Sequence, residues 1–305
     1  MLAFTPCIIL KVYFDYFLVT AGAARLSLVS SVAGGIINIV LDYLFMAKLH
    51  MGIEGAAIAT CIGYAVPSLV GIMYFMNKKH NLHFVSPSKD IKVILEAAGN
   101  GSSEMVIQLS SAVTTFVYNL VMMNLIGEDG VAAITIILYV QFLLASIYSG
   151  YTSGASPCIS FNYGGKNRKQ LEKIIRYSFL IVCYCSLISF GISLISGDFL
   201  IRAFAGSNKD VFQIARNGFS LYSLGFLIGG FNIFITGMFT AFSNGKVSAF
   251  LSLMRTLVLF LIGITILPYF MGINGVWLVV PFAEAVTLII GIYFVYSYRK
   301  EYLYG

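Results

Sequence analysis

The chain has 305 residues, of which 59% are hydrophobic and only 10% charged, with a mean hydropathy of +0.88. Soluble domains carry about twice that charge, so a soluble enzyme or nucleic-acid-binding domain is excluded and a polytopic membrane protein is expected. The formal net charge of +6 is then a matter of loop distribution, because no basic stripe with interleaved aromatics occurs.

Crossing the hydrocarbon core takes about 20 mostly apolar residues in a helix. Nine segments qualify, at 1–23, 26–48, 53–76, 97–126, 130–160, 172–196, 211–241, 246–269 and 274–297. An all-α fold follows, since in lipid the backbone must satisfy its own hydrogen bonds. The breaks fall at turn signals such as Met51-Gly52-Ile53, Gly127-Glu128-Asp129-Gly130 and Tyr163-Gly164-Gly165-Lys166. The start lacks the basic region and cleavage site of a signal peptide, so Met1 reads as an internal methionine or a late start. The five cysteines, Cys7, Cys61, Cys158, Cys183 and Cys185, lie in apolar runs without metal-ligand spacing and read as small packing residues.

Met51-Gly52-Ile53-x-Gly55 recurs as Met271-Gly272-Ile273-x-Gly275, an offset of 220 residues that also aligns Thr20-Ala21 with Thr240-Ala241. An internal repeat is expected. Residues 96–305 then form a complete lobe of six helices, 1–76 are the last three helices of another, and 77–95 are a cytoplasmic linker. The missing upstream part would hold three more spans. Six spans separate the repeated turns, so the two lobes are related in parallel, by an axis along the membrane normal.

Thirteen Lys and Arg fall on one set of loops and ends, among them Arg25, Lys89, Lys166, Lys246 and Arg299, against four on the other, Lys48, Arg202, Lys209 and Arg216. The positive-inside rule puts the first set, and the C-terminus, in the cytoplasm.

Ionisable residues within spans cost from about 3 kcal/mol upward and are functional candidates by default. Here they are Lys11, Asp15, Asp42, Glu104, Arg255 and Glu284. Asn38 and Asp42 are four apart on one helix face, and Thr60 on the next helix falls at about the same depth, roughly 10 Å below the external surface. A carboxylate, a carboxamide and a hydroxyl at one level suit a proton or a small hard cation such as sodium; an interhelical clasp is the alternative. The repeat supplies a control, because Val258, Ile262 and Val280 stand at the equivalent positions and the fold therefore does not need these polar groups. Arg255 and Glu284 both reach mid-membrane on successive helices and read first as a mutually neutralising pair, with a substrate-lining pair as the alternative. Lys11 and Asp15 can pair at i and i+4. Glu104, after the flexible Gly99-Asn100-Gly101 break, either meets cationic substrates or stabilises the start of its helix. A membrane enzyme would need a nucleophile beside an acid or base, and His50, His80 and His83 all lie outside the spans.

Asn38-Ile-Val-Leu-Asp42-Tyr-Leu-Phe, Gly52-Ile-Glu-Gly55-Ala-Ala-Ile-Ala-Thr60 and Ser156-Pro-Cys-Ile-Ser-Phe-Asn162-Tyr-Gly164-Gly-Lys166 together resemble the multidrug and toxic compound extrusion (MATE) transporters. The resemblance implies twelve helices in two lobes and export of cationic or amphipathic drugs in exchange for H+ or Na+, without a cofactor. It assigns Asn38, Asp42 and Thr60 to the first lobe's cation site, whose further Asp would lie upstream. Glu104, Arg255 and Glu284 are candidates for the substrate pathway, and Glu104 stands nearer its helix start than the family's second acidic site expects. Implied too are a bacterial-type plasma membrane, a monomeric full-length protein and no nucleic-acid partner. A lipid-linked glycan flippase of the same superfamily and an inactive fragment are the alternatives.

Overall fold

A computed structural model describes residues 5–80, 82–86, 90–206 and 208–302. It is all-helical among those residues and divides into two compact units, residues 1–89 and 90–305. The first unit holds α1 (Thr5–Thr20), α2 (Ala24–Asp42), which continues as a π-helical turn over Tyr43–Lys48, and α3 (Gly52–Met76). The second holds α4 (Ile91–Leu125), α5 (Glu128–Gly164), α6 (Arg168–Ala205), α7 (Lys209–Tyr222), α8 (Phe226–Ala241), α9 (Gly245–Leu253), α10 (Leu259–Met271) and α11 (Ile273–Tyr298). A 3-10 turn at Ser223–Gly225 joins α7 to α8, and a π turn at Met254–Val258 joins α9 to α10, so each of these pairs makes one continuous span.

Among the described residues eight helices are long and apolar enough to cross a membrane, one fewer than expected. The shortfall is α1, whose 16 residues reach about 24 Å at 1.5 Å each, less than the roughly 30 Å of the hydrocarbon core; residues 1–4 lie outside the described residues. The protein is an integral membrane protein.

In the first unit α2 and α3 cross so closely that a β-carbon on Gly34 would lie 2.5 Å from the Gly63 carbonyl oxygen. Small residues at a crossing let two backbones meet, which is how helices gain van der Waals contact where lipid leaves no hydrophobic driving force. Phe14, Leu18 and Phe75 form a small core between α1 and α3, with Phe14 stacked on Phe75 at 5.7 Å. Leu28, Val29, Val32 and Ile36 of α2 stay exposed, an apolar face fit for lipid tails. Both copies of the Met-Gly-Ile-x-Gly turn use a positive-φ glycine, Gly52 at φ 58° and Gly272 at φ 57°, a conformation open to glycine because it has no β-carbon.

The second unit is centred on Trp277, which packs with Phe219, Tyr222, Ile134 and Ile137. A second cluster of Phe234, Met238, Phe239, Phe242 and Tyr302 closes one end. There Tyr302 stacks on Phe242 at 4.6 Å and accepts a hydrogen bond from Asn244 Nδ2 at 2.7 Å. The Ser160–Lys166 stretch docks on the same end: Ser160 donates to the Ala241 carbonyl at 2.8 Å and Tyr163 meets Phe242 edge-on at 5.1 Å.

Three further expectations are corrected. The Gly99-Asn100-Gly101 segment is not a break, because α4 runs unbroken through it. Asn100 Nδ2 donates to Thr240 O at 3.1 Å, and a β-carbon on Gly245 would fall 2.6 Å from Asn100 Cα, so packing against the α8–α9 turn holds the glycines helical. The linker ends earlier than residue 95: Asp90 caps α4 by accepting from the Lys92 backbone N–H at 3.0 Å. Of the cysteines only Cys61 is buried, and Cys158 is exposed; in lipid an outward apolar side chain carries no penalty, so burial was not required.

Candidate functional site

Close approach of α2 and α3 places the first cluster. The β-carbon that Gly63 lacks would sit 2.9 Å from Asn38 Cβ, so Asn38 stands directly against α3, one turn along from Thr60. Asp42 closes α2 where the helix widens into the π turn, a distortion frequent at functional positions. Asn38 Nδ2 and Asp42 Oδ1 are both buried without a hydrogen-bond partner from the protein, which costs about 1–3 kcal/mol per group unless something else fills the role. Thr60 Oγ1 donates back to Ala56 O at 2.8 Å, leaving its lone pairs available. The described structure thus holds an acidic acceptor and an amide donor whose hydrogen-bonding capacity the fold does not use.

Lys11 and Asp15 do pair, with Nζ to Oδ2 at 2.6 Å. Sequence reasoning missed the partners from α2: Ser31 Oγ and Ser27 Oγ donate to Asp15 Oδ1 at 2.9 and 3.3 Å. Serines in an apolar helix carry little signal alone, but Ser27 and Ser31 at i and i+4 mark one face.

In the second unit Arg255 and Glu284 are brought together, Nη1 to Oε1 at 3.9 Å, with both side chains almost fully buried. The tighter partner is one that sequence reasoning passed over, Asn232 of α8. Its Nδ2 donates to Glu284 Oε2 at 2.6 Å and to the Glu284 carbonyl at 2.8 Å. The available signal was a carboxamide inside an otherwise apolar run, the same signal that singled out Asn38. Glu104 stands apart from its expected role at the helix start. It is exposed, 13 residues inside α4, and accepts from Gln108 Nε2 at 3.4 Å; Asp90 performs the capping instead.

Residues 103–265, just over half the chain, match the family model described as MatE. The chain belongs to the MatE family. The MatE match takes in Glu104, Asn232 and Arg255, while Asn38, Asp42, Thr60 and Glu284 lie outside it. Curated relatives include a multidrug export protein MepA of Staphylococcus haemolyticus, 24% identical over 299 residues, and one of Staphylococcus aureus, 22% identical over 303. Each alignment covers 97% of this chain and 65% of the relative, so the chain spans about two thirds of the length of these MatE-family relatives. Among solved structures, a MATE protein crystallised in complex with MaL6 superposes with a TM-score of 0.89 at 23% identity, covering 97% of this chain and 67% of that one. An outward-facing multidrug resistance MATE transporter gives 0.84 at 24%, covering 92% and 64%. These likenesses establish a common MatE fold.

Proposed function

We propose that this chain is the greater part of a two-lobed secondary transporter that exports cationic or amphipathic drugs in exchange for protons or sodium. Residues 1–76 belong to the first lobe, the stretch from 77 to the start of α4 links the lobes, and α4 onward is the second lobe, with the C-terminus in the cytoplasm of a bacterial-type cell. The driving cation binds Asn38, Asp42 and Thr60. The observation that carries this reading is the buried Asp42 Oδ1 with no protein partner, one helical turn from Asn38. A cation or proton arriving there supplies the missing partner, and it drives transport to the extent that it binds one access state better than the other. Family membership and the MepA relatives, named as multidrug export proteins, support the same reading. The single deep Arg255 already faces Glu284, which weighs against an Arg-lined cavity for a lipid-linked glycan.

Asp42→Asn tests it, because the amide keeps the shape and removes the charge. The expected result is normal membrane abundance and near-normal equilibrium drug binding, with loss of efflux driven by an imposed ion gradient in proteoliposomes. Thr60→Val should weaken coupling less. Wild-type gradient-driven efflux per folded molecule in Asp42→Asn would remove the cluster from the mechanism.

A further inference from the structure

Where α6, α8 and α11 pack together, their outer side is not flush. A cavity of about 250 Å3 lies between them, lined by Phe179 of α6, Phe231 and Ile235 of α8, and Leu288, Ile292 and Val295 of α11. Ile292 is 56% exposed, so the cavity opens outward as a groove. The aromatic wall is fixed, because Phe179 stacks on Phe231 at 6.5 Å and meets Phe234 edge-on at 5.2 Å. All six lining side chains are apolar, and water does not settle in an apolar cavity. Left empty, the walls forfeit dispersion contacts on one side; in a bilayer the filler at hand is hydrocarbon.

The groove has the length of one leaflet and a charged end. Leu288, Ile292 and Val295 recur at helical spacing on one face of α11, and Arg299 is the next residue of that series. From Leu288 to Arg299 is about 16 Å at 1.5 Å per residue, half of the roughly 30 Å hydrocarbon core. Glu284, one turn before Leu288, is buried and is not part of the lining. On α6, Arg176 stands one turn before Phe179. Tyr163, just before α6, meets Tyr302 edge-on at 5.6 Å, so α6 starts where α11 ends and both helices bring a guanidinium to the same end of the groove. Lys173 and Lys300 stand beside them and Glu172 and Glu301 oppose them, four basic residues against two acidic, all exposed. Among the described residues Arg176, Arg299 and Lys300 have no ion-pair partner. Arg299 lies over the Tyr296 ring at 4.9 Å, an aromatic placed where the membrane meets water. A guanidinium suits phosphate, which it can bind through two parallel N–H bonds.

We propose that this groove is a binding site for one anionic phospholipid, with an acyl chain lying between Phe179, Phe231 and Ile292 and the headgroup phosphate held by Arg176, Arg299 and Lys300. A zwitterionic lipid offers the same chain but brings a second cation to a rim that already has a positive excess, so headgroup charge is what the site selects. The proposal does not rest on the efflux reading and uses none of the residues assigned to it.

The test reads contact with brominated acyl chains, which quench a tryptophan they touch. Tyr293→Trp puts the reporter at an exposed position beside Ile292. Trp277, the sole native tryptophan, is buried near the other end of α11, and its signal is subtracted with the unsubstituted chain. The chain is reconstituted in phosphatidylcholine vesicles with a rising proportion of brominated phosphatidylglycerol or brominated phosphatidylcholine. The expected result is half-quenching by phosphatidylglycerol at a several-fold lower mole fraction than by phosphatidylcholine. An interfacial Lys or Arg strengthens the hold on an anionic surface about fivefold. Replacing Arg176, Arg299 and Lys300 together by Gln should therefore raise the phosphatidylglycerol midpoint at least fivefold, or to the phosphatidylcholine value. Replacing Lys78, Lys79 and Lys92 by Gln removes as much charge elsewhere and should leave the midpoint in place. Ile292→Phe with Val295→Phe fills the groove and should abolish the selective phase while every basic residue is intact. Equal quenching by the two lipids overturns the site, as does a midpoint unmoved by loss of the rim residues or moved as far by the Lys78, Lys79 and Lys92 substitutions. Selective quenching that survives in the groove-filled chain overturns it too, and a concentration-dependent dimer without quenching would give this face to a second copy instead.

Discussion

Gly34 and Gly35 are neighbours on α2 with opposite surroundings, and replacing each by alanine measures how tightly the first unit holds its cluster. A β-carbon on Gly34 would lie 2.5 Å from the Gly63 carbonyl oxygen and 3.0 Å from Pro67 Cδ, while one on Gly35 would meet nothing within 4 Å. Alanine relieves either position of glycine's helix penalty, about 0.8–1 kcal/mol. At Gly34 the obstacle is backbone that cannot rotate away, so α2 and α3 must separate, and overpacking of this kind costs about 1–3 kcal/mol. With the obstacle being backbone at 2.5 Å, the upper part of that range, about 2–3 kcal/mol, applies, so the net for Gly34→Ala is roughly 1–2 kcal/mol destabilising, and for Gly35→Ala about 1 kcal/mol stabilising. Cys61, buried on α3 two residues from Gly63, is the reporter, read as the maleimide labelling rate in a background lacking the other four cysteines. A loss of 1–2 kcal/mol corresponds to about 5- to 30-fold faster labelling through local opening. Equal labelling in Gly34→Ala and wild type, or faster labelling in Gly35→Ala, refutes the argument that the glycine crossing fixes this unit.

Glu284→Gln strands Arg255 in a site where both side chains are nearly buried, so folded protein in the membrane should fall, since breaking a buried pair costs up to about 3–5 kcal/mol; exchanging the two residues should recover part of it, as seen by fluorescence-detected gel filtration. Burial raises the Tyr302 phenol above its ordinary value, against the lowering effect of the Asn244 hydrogen bond. A raised folded value means that its contribution is intact below about pH 10, the unfolded value, and is lost as pH rises through the folded one. Alkaline titration should therefore release the C-terminal turn from Phe242 in wild type at a pH above the ordinary tyrosine range, and Tyr302→Phe should lack that step when release is followed by limited proteolysis. A cysteine at Lys166 should react with impermeant maleimide only from the cytoplasmic side and one at Glu128 only from outside; reversed labelling at either would invert the orientation.

The sequence by itself determined the class of molecule and most of its spans, because hydrophobic length is a local property that lipid enforces whatever the helices later touch. It also located Asp42, Arg255 and Glu284, since a charge in an apolar run is conspicuous without any partner, and Lys11 with Asp15, whose pairing needs only the period of one helix. What touches what was beyond it. Asn232 reaches Glu284 across 52 positions, and Ser27 and Ser31 reach Asp15 from another helix; rotations of helices about their axes decide such contacts, and no local pattern encodes them. The same holds for Gly99-Asn100-Gly101, which reads as a break in isolation and is held helical by Gly245 and Thr240, more than 100 residues away. Local propensity is worth about 1 kcal/mol per glycine, and two close helix contacts outweigh it, so only the tertiary structure could decide that α4 runs straight through.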